Sequence, residues 1–123
     1  MKKIILFFVL LSSNLSIIYA QIFEGSIAIN SQESADNFRD LCKCTEITGD
    51  LLIRLNFDLT NLNGLEDLRE IGGKLEIYNS NGLKDLSGLS NLKIIGGDLE
   101  IYHNDNLLNL SGLNNLTLSL IHI

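Results

Sequence analysis

The sequence has no proline and no tryptophan, and only two cysteines, two histidines and one methionine. A chain with many tight corners and no proline must turn on glycine and asparagine, and both are frequent here. Two cysteines are too few for a disulfide-dense mini-protein, and with two histidines they make a thin inventory for a zinc site. Basic residues are also scarce. Nine Lys and Arg stand against 15 Asp and Glu, a net charge of −6 that argues against a general nucleic-acid binder. Apolar residues are what the chain has in quantity. At 46% hydrophobic over 123 residues, it reads as one small folded domain rather than a disordered segment.

The first twenty residues have the layout of a secretory signal peptide. Lys2 and Lys3 form a basic start, Ile4 to Leu11 is apolar throughout, and Ala20 is a small residue placed before Gln21. The run is short for a membrane anchor, since spanning needs about 20 apolar residues. Cleavage after Ala20 is the expectation. It removes Lys2 and Lys3, leaves an acidic mature chain without a membrane span, and places the protein outside the cell or on its surface.

Internal repetition organises the rest. Residues 47–70, 71–94 and 95–118 align as three 24-residue blocks without a gap. The shared columns begin with Gly49/Gly73/Gly97, Leu51/Leu75/Leu99 and Ile53/Ile77/Ile101. They continue through Leu59/Leu83/Leu107, Leu62/Leu86/Leu110 and Gly64/Gly88/Gly112, and end with Leu65/Leu89/Leu113 and Leu68/Leu92/Leu116. A fixed period of this length predicts stacked repeats, each burying its apolar face against its neighbours.

Each repeat divides into two stretches. Lys74-Leu75-Glu76-Ile77-Tyr78 alternates and predicts a short strand with Leu75 and Ile77 inward. Leu83, Leu86, Leu89, Leu92 and Ile95 then follow at intervals of three, a spacing that drifts off one face of an α-helix. A chain that keeps turning, with a leucine inward at each bend, fits better. Gly72-Gly73 and Gly96-Gly97 are expected to supply backbone freedom at the corner before each strand. Asn79, Asn81, Asn104 and Asn106 suit the corner after it.

The pattern I-x-G-x-L-x-I, an Asn-rich turn, then L-x-x-L-x-G-L-x-x-L-x-x-I resembles the receptor L domain from about Phe23 to Leu116. That module occurs in insulin- and growth-factor-receptor ectodomains and in many bacterial surface proteins. The resemblance implies an all-β fold: a right-handed parallel β-helix, here a leucine-rich solenoid of 24-residue coils, with a short N-terminal capping helix. Residues 21–46 would be the strand-helix cap. Phe23 to Ile29 suits its strand, Ser31 its N-cap, and Gln32 to Leu41 its helix, with Glu33 and Asp36 near the helix start. Phe38 and Leu41 would face inward together. The ordinary horseshoe leucine-rich repeat fits less well, because its frame asks for Asn where Ser80 stands.

No catalytic constellation emerges, so the chain reads as non-enzymatic, with no metal and no cofactor implied. His103 falls in a turn, in the column of Leu55 and Asn79, and His122 lies in the last three residues. A lone histidine needs a positioned partner for catalysis. Cys42-Lys43-Cys44 lacks redox spacing and leaves open a local disulfide, a link to another chain, or two buried thiols. The double glycines open no helix and so make no phosphate loop. Asn109-Leu110-Ser111 and Asn115-Leu116-Thr117 fit the N-glycosylation pattern, but the columns demand leucine there anyway.

Function is therefore expected on the surface. Outward strand residues form the ladders Asp50/Lys74/Asp98, Leu52/Glu76/Glu100 and Arg54/Tyr78/Tyr102. Arg and Tyr are typical of binding hot spots, so Arg54, Tyr78 and Tyr102 are the candidate contact residues for a protein or glycan. Glu76 and Glu100, expected beside them and outward, would bias the partner toward positive charge. The alternative is a structural spacer with no ligand of its own. Finally, residues 119–123 read as the start of a fourth repeat in a truncated or frameshifted longer protein. The columns ask for Ile-Gly-Gly where Ser119-Leu120-Ile121 stand, so an apolar edge prone to edge-to-edge self-association is expected.

Overall fold

The structure is a computed structural model, and it describes residues 3–11 and 16–121. Lys2, His122 and Ile123 lie outside the described residues. The chain is mostly β-sheet with one helix: β1 (Lys3–Leu11), β2 (Ser16–Glu24), β3 (Ile27–Ile29), α1 (Gln32–Cys42), β4 (Glu46–Ile47), β5 (Leu51–Arg54), β6 (Glu70–Ile71), β7 (Leu75–Tyr78), β8 (Ile94–Tyr102) and β9 (Leu118–Ile121). Short 3₁₀ turns at Asn63–Leu65, Ser87–Leu89 and Ser111–Leu113 occupy the stretches with apolar residues every third position.

Two parallel ladders run through the molecule, both in the 24-residue register. In the longer ladder Leu51 pairs with Leu75 and Leu75 with Leu99, across β5, β7 and β8, and β3 continues it on the N-terminal side. In the shorter, Ile47 pairs with Ile71 and Ile71 with Ile95, through β4, β6 and the start of β8. The long strand β8 belongs to both and joins them into a single sheet. The alternation read from Lys74 to Tyr78 correctly places Leu75 and Ile77 inward. With Leu83, Leu86, Leu89 and Leu92, they have no solvent exposure.

The capping helix forms as expected from its N-cap. Ser31 Oγ accepts from Ser34 N, and Ser34 Oγ accepts from Ser31 N, a reciprocal box that satisfies two otherwise orphaned donors. The helix ends at Cys42, with Lys43 left-handed at its C-cap. Its buried face is Ala35, Phe38 and Cys42, at helical spacing. Leu41 departs from expectation. It is half exposed because it lies beside that stripe. The expected Phe23–Ile29 strand is broken by Gly25, at φ 111°, into the end of β2 and the separate β3, one in each ladder.

The double glycines have a different cause from the one expected. Gly25 is the sole glycine with positive φ among the described residues, so Gly72, Gly73, Gly96 and Gly97 use no left-handed freedom. They answer close approach instead. A Cβ on Gly72 would stand 2.4 Å from Thr48 O, and one on Gly96 would stand 2.4 Å from Gly72 O. The left-handed positions fall at Leu55, Asn79 and His103, one per repeat and directly after the strand.

Both ends depart from the 24-residue register. Lys3–Leu11, within the segment read as an export signal, pairs antiparallel with Ser16–Glu24. At the other end β9 pairs parallel with β8, but the register slips between Ile94↔Leu118 and Asp98↔Leu120. The corner residues Ile-Gly-Gly that hold the register in earlier repeats are absent there.

Candidate functional site

The outward face of the longer ladder gathers the residues singled out as contacts from the sequence, together with Lys74 and His103, which were not assigned to it. Register places Arg54 beside Tyr78 and Tyr78 beside Tyr102. The two tyrosine rings stack with centroids 4.7 Å apart and planes 26° from parallel. His103 stands edge-on to both, at 5.8 Å from Tyr78 and 5.7 Å from Tyr102. The left-handed backbone at His103 turns this ring back beside the pair, while the residue stays in the turn and exposed, as the sequence implied. Offset stacked and edge-to-face geometry are the arrangements that ring quadrupoles favour.

Glu76 departs from expectation. Expected as an outward, solvated charge, it is buried, with its side chain 6% exposed. It sits on the central strand β7, with Leu52 and Glu100 in the flanking strands, and longer side chains fold over it. Arg54 Nε donates to Glu76 Oε2. Lys74 Nζ and Tyr102 Oη each donate to Oε1 at 3.2 Å. Lys74 also reaches Glu100 Oε2 at 3.5 Å. Burial pushes the Glu76 carboxyl up, but hydrogen bonds and positive charge from Lys74 and Arg54 outweigh it and hold the group below the usual carboxylate range. The hydrogen bond to Glu76 in turn raises the Lys74 ammonium. Desolvation, followed by the Glu76 charge, raises the Tyr102 phenol.

The face therefore does not offer the two free carboxylates read from the sequence. Glu76 is the support that aims Arg54, Lys74 and Tyr102, while Glu100, Arg54 and Tyr102 stay partly open to solvent. Lys74 was missed because the alternation assigns it only to a solubilising ladder. In that ladder Asp50 instead spends Oδ1 on Lys74 N at 2.8 Å.

A second concave feature lies at the N-terminal end, an open cleft of about 530 Å³ lined chiefly by Phe23, Ile27, Ile29, Phe38 and Leu41. None of the candidate contact residues reaches it. Among the described residues, no group of three or more His, Cys, Asp or Glu side chains is placed to hold a metal ion. Cys42 and Cys44 form a disulfide with each other, one of the three options left open by their spacing.

The family model of the receptor L domain matches residues 43–121, more than half of the chain. The chain belongs to the receptor L domain family. No curated protein and no solved structure matches it. The match covers all three repeats, while the capping helix lies before it. Receptor L domains are non-catalytic, ligand-binding modules of extracellular receptor regions. No helix of this L domain is long and apolar enough to cross a membrane among the described residues.

Proposed function

We propose that this L domain is an exported recognition module, secreted or held at the cell surface, that binds a protein or glycan through the outward face around Tyr78 and Tyr102. The observation that carries the reading is the stacked tyrosine pair with His103 set across it, held on a rigid parallel ladder and 42% exposed at Tyr102. Rigid rings with polar tips supply contact area at little entropic cost, and both protein hot spots and sugar faces use them. Arg54 and Glu100 make a rim of balanced charge, so partner choice rests on shape and ring contact more than on long-range steering.

The 24-residue register of both ladders supports a right-handed β-helix in which each coil contributes one row of this face. Export supports the same reading. Cleavage after Ala20 removes β1 and the part of β2 that pairs only with it, and it spares Ile22 and Phe23, which pair with β4. A spacer role draws its support from one observation: Arg54 and Lys74 pair within the chain, on Glu76.

The test is binding of the mature chain to a glycan array and to a displayed peptide library, followed by titration of each hit against the double variant Tyr78→Ala, Tyr102→Ala. The variant keeps its fold by circular dichroism and loses about 2 kcal/mol or more of binding. Hits that bind the variant with unchanged affinity remove this face as the site, and the absence of any hit favours the spacer.

A further inference from the structure

Every repeat turns into its 3₁₀ segment through the same device. The side-chain oxygen of Asn61, Asp85 or Asn109 accepts the backbone N–H two residues on, at Asn63 (3.1 Å), Ser87 (2.9 Å) and Ser111 (3.0 Å). The turn alone explains the acidic or amide side chain at that column. In the second and third repeats the serine two residues later adds its hydroxyl to the same oxygen, and only the third repeat combines that hydroxyl with asparagine. A second Asn-x-Thr starts six residues on, at Asn115.

Both asparagines are exposed, yet their amides are engaged differently. Asn115 Nδ2 donates to Ser90 O at 2.5 Å, and Thr117 Oγ1 donates to Lys93 O at 3.1 Å, so both polar ends of that tripeptide are tied to the preceding repeat. In the other tripeptide the bonds stay inside. Ser111 N and Ser111 Oγ both donate to Asn109 Oδ1, the hydroxyl at 2.6 Å. The carboxamide is thus held through its oxygen, and Nδ2 makes no hydrogen bond among the described residues. Flanking Leu108 and Leu110 are 78% and 43% exposed, so little packing restrains this turn from opening to an enzyme.

We propose that Asn109 is an N-glycan attachment site and that Asn115, with the same consensus, is not. The co-substrate is an oligosaccharide linked to a polyprenyl diphosphate. Asn109 Nδ2 forms a C–N bond to the anomeric carbon, the C–O bond to the diphosphate breaks, and polyprenyl diphosphate leaves. The displaced amide proton passes to a base of the transferase. In the cell this transfer rests on the export proposed above, so the test bypasses export.

Folded, unglycosylated protein carrying Asn14→Gln, which removes a further Asn-x-Ser at residue 14, is incubated with a single-subunit oligosaccharyltransferase and its lipid-linked donor. Intact mass is then read over time. One glycan is expected on this protein and on its Asn115→Gln form, and at early times no more than about a tenth as much on its Asn109→Gln form. Ser111→Ala abolishes the Asn109 product and Ser111→Thr retains it. Initial rates should favour Asn109 over Asn115 on the order of tenfold, the factor expected when bonds to the preceding repeat must open first. A folded protein left unmodified while an unfolded peptide of residues 105–117 is glycosylated overturns the proposal. Equal rates at the two asparagines overturn it as well.

Discussion

Leu55 occupies a left-handed conformation that costs a non-glycine residue about 1–2 kcal/mol, while the equivalent residue one repeat on is Asn79, a residue that tolerates it. Its side chain is 54% exposed, so little packing is lost on replacement. Leu55→Asn should therefore raise stability by about 0.5–1 kcal/mol, read as a higher urea midpoint at unchanged slope. Glu76 gives a second residue-scale expectation. Its folded pKa is depressed, so its stabilisation is complete above the ordinary glutamate value of about 4.3 and is lost as pH falls through the folded value. Glu46 has the opposite sign, because burial, followed by the Glu70 charge, raises it; its ionised form destabilises the fold near neutrality. Denaturation followed from pH 7 to pH 3 should show Glu76→Gln flattening the acid-side loss, and Glu46→Gln raising stability at pH 7 but little at pH 3. Glu76 was misassigned from sequence because alternation specifies which side of a strand a residue occupies. It says nothing about whether long neighbours will cover it.

At the scale of the element, the leucine columns and the glycine of each 3₁₀ turn do different work. Leu89 is fully buried, and Leu89→Ala should cost about 2–5 kcal/mol through the cavity it leaves. Gly88 is where adjacent turns meet: a Cβ there would lie 2.0 Å from Leu62 O and 2.2 Å from Leu62 C. Backbone cannot step aside as a flexible side chain can, so Gly88→Ala should cost at least as much as an overpacked core site, about 1–3 kcal/mol. Chemical denaturation of the two variants checks both figures. A near-neutral Gly88→Ala would mean the repeats are not in this contact. The glycine column was visible in the sequence. Its role in close approach depends on the preceding repeat and so was not.

Across the whole molecule, burial is uneven. The first two repeats bury every leucine of their shared columns, whereas in the third Leu110 is 43% exposed and Leu107 and Leu116 are only partly buried. With Leu108 at 78% exposure, the third repeat presents apolar side chains to solvent ahead of its 3₁₀ turn. Light scattering of this chain should show mass rising with concentration, and the paired change Leu108→Ser, Leu110→Ser should reduce it. A monomer at all concentrations would show that these leucines make no contact between copies.

The sequence alone determined the 24-residue period, the parallel in-register pairing, the inward columns and the Ser31 cap. It could do so because repetition prints the same packing requirement three times, and a requirement printed three times stands clear of the noise of single residues. Tertiary structure decided the rest. Whether Glu76 is solvent or support, whether His103 joins the tyrosines, and whether Asn109 or Asn115 keeps a free amide each depend on residues about 24 positions away. Those contacts form between repeats, across a surface that one repeat's own pattern does not describe.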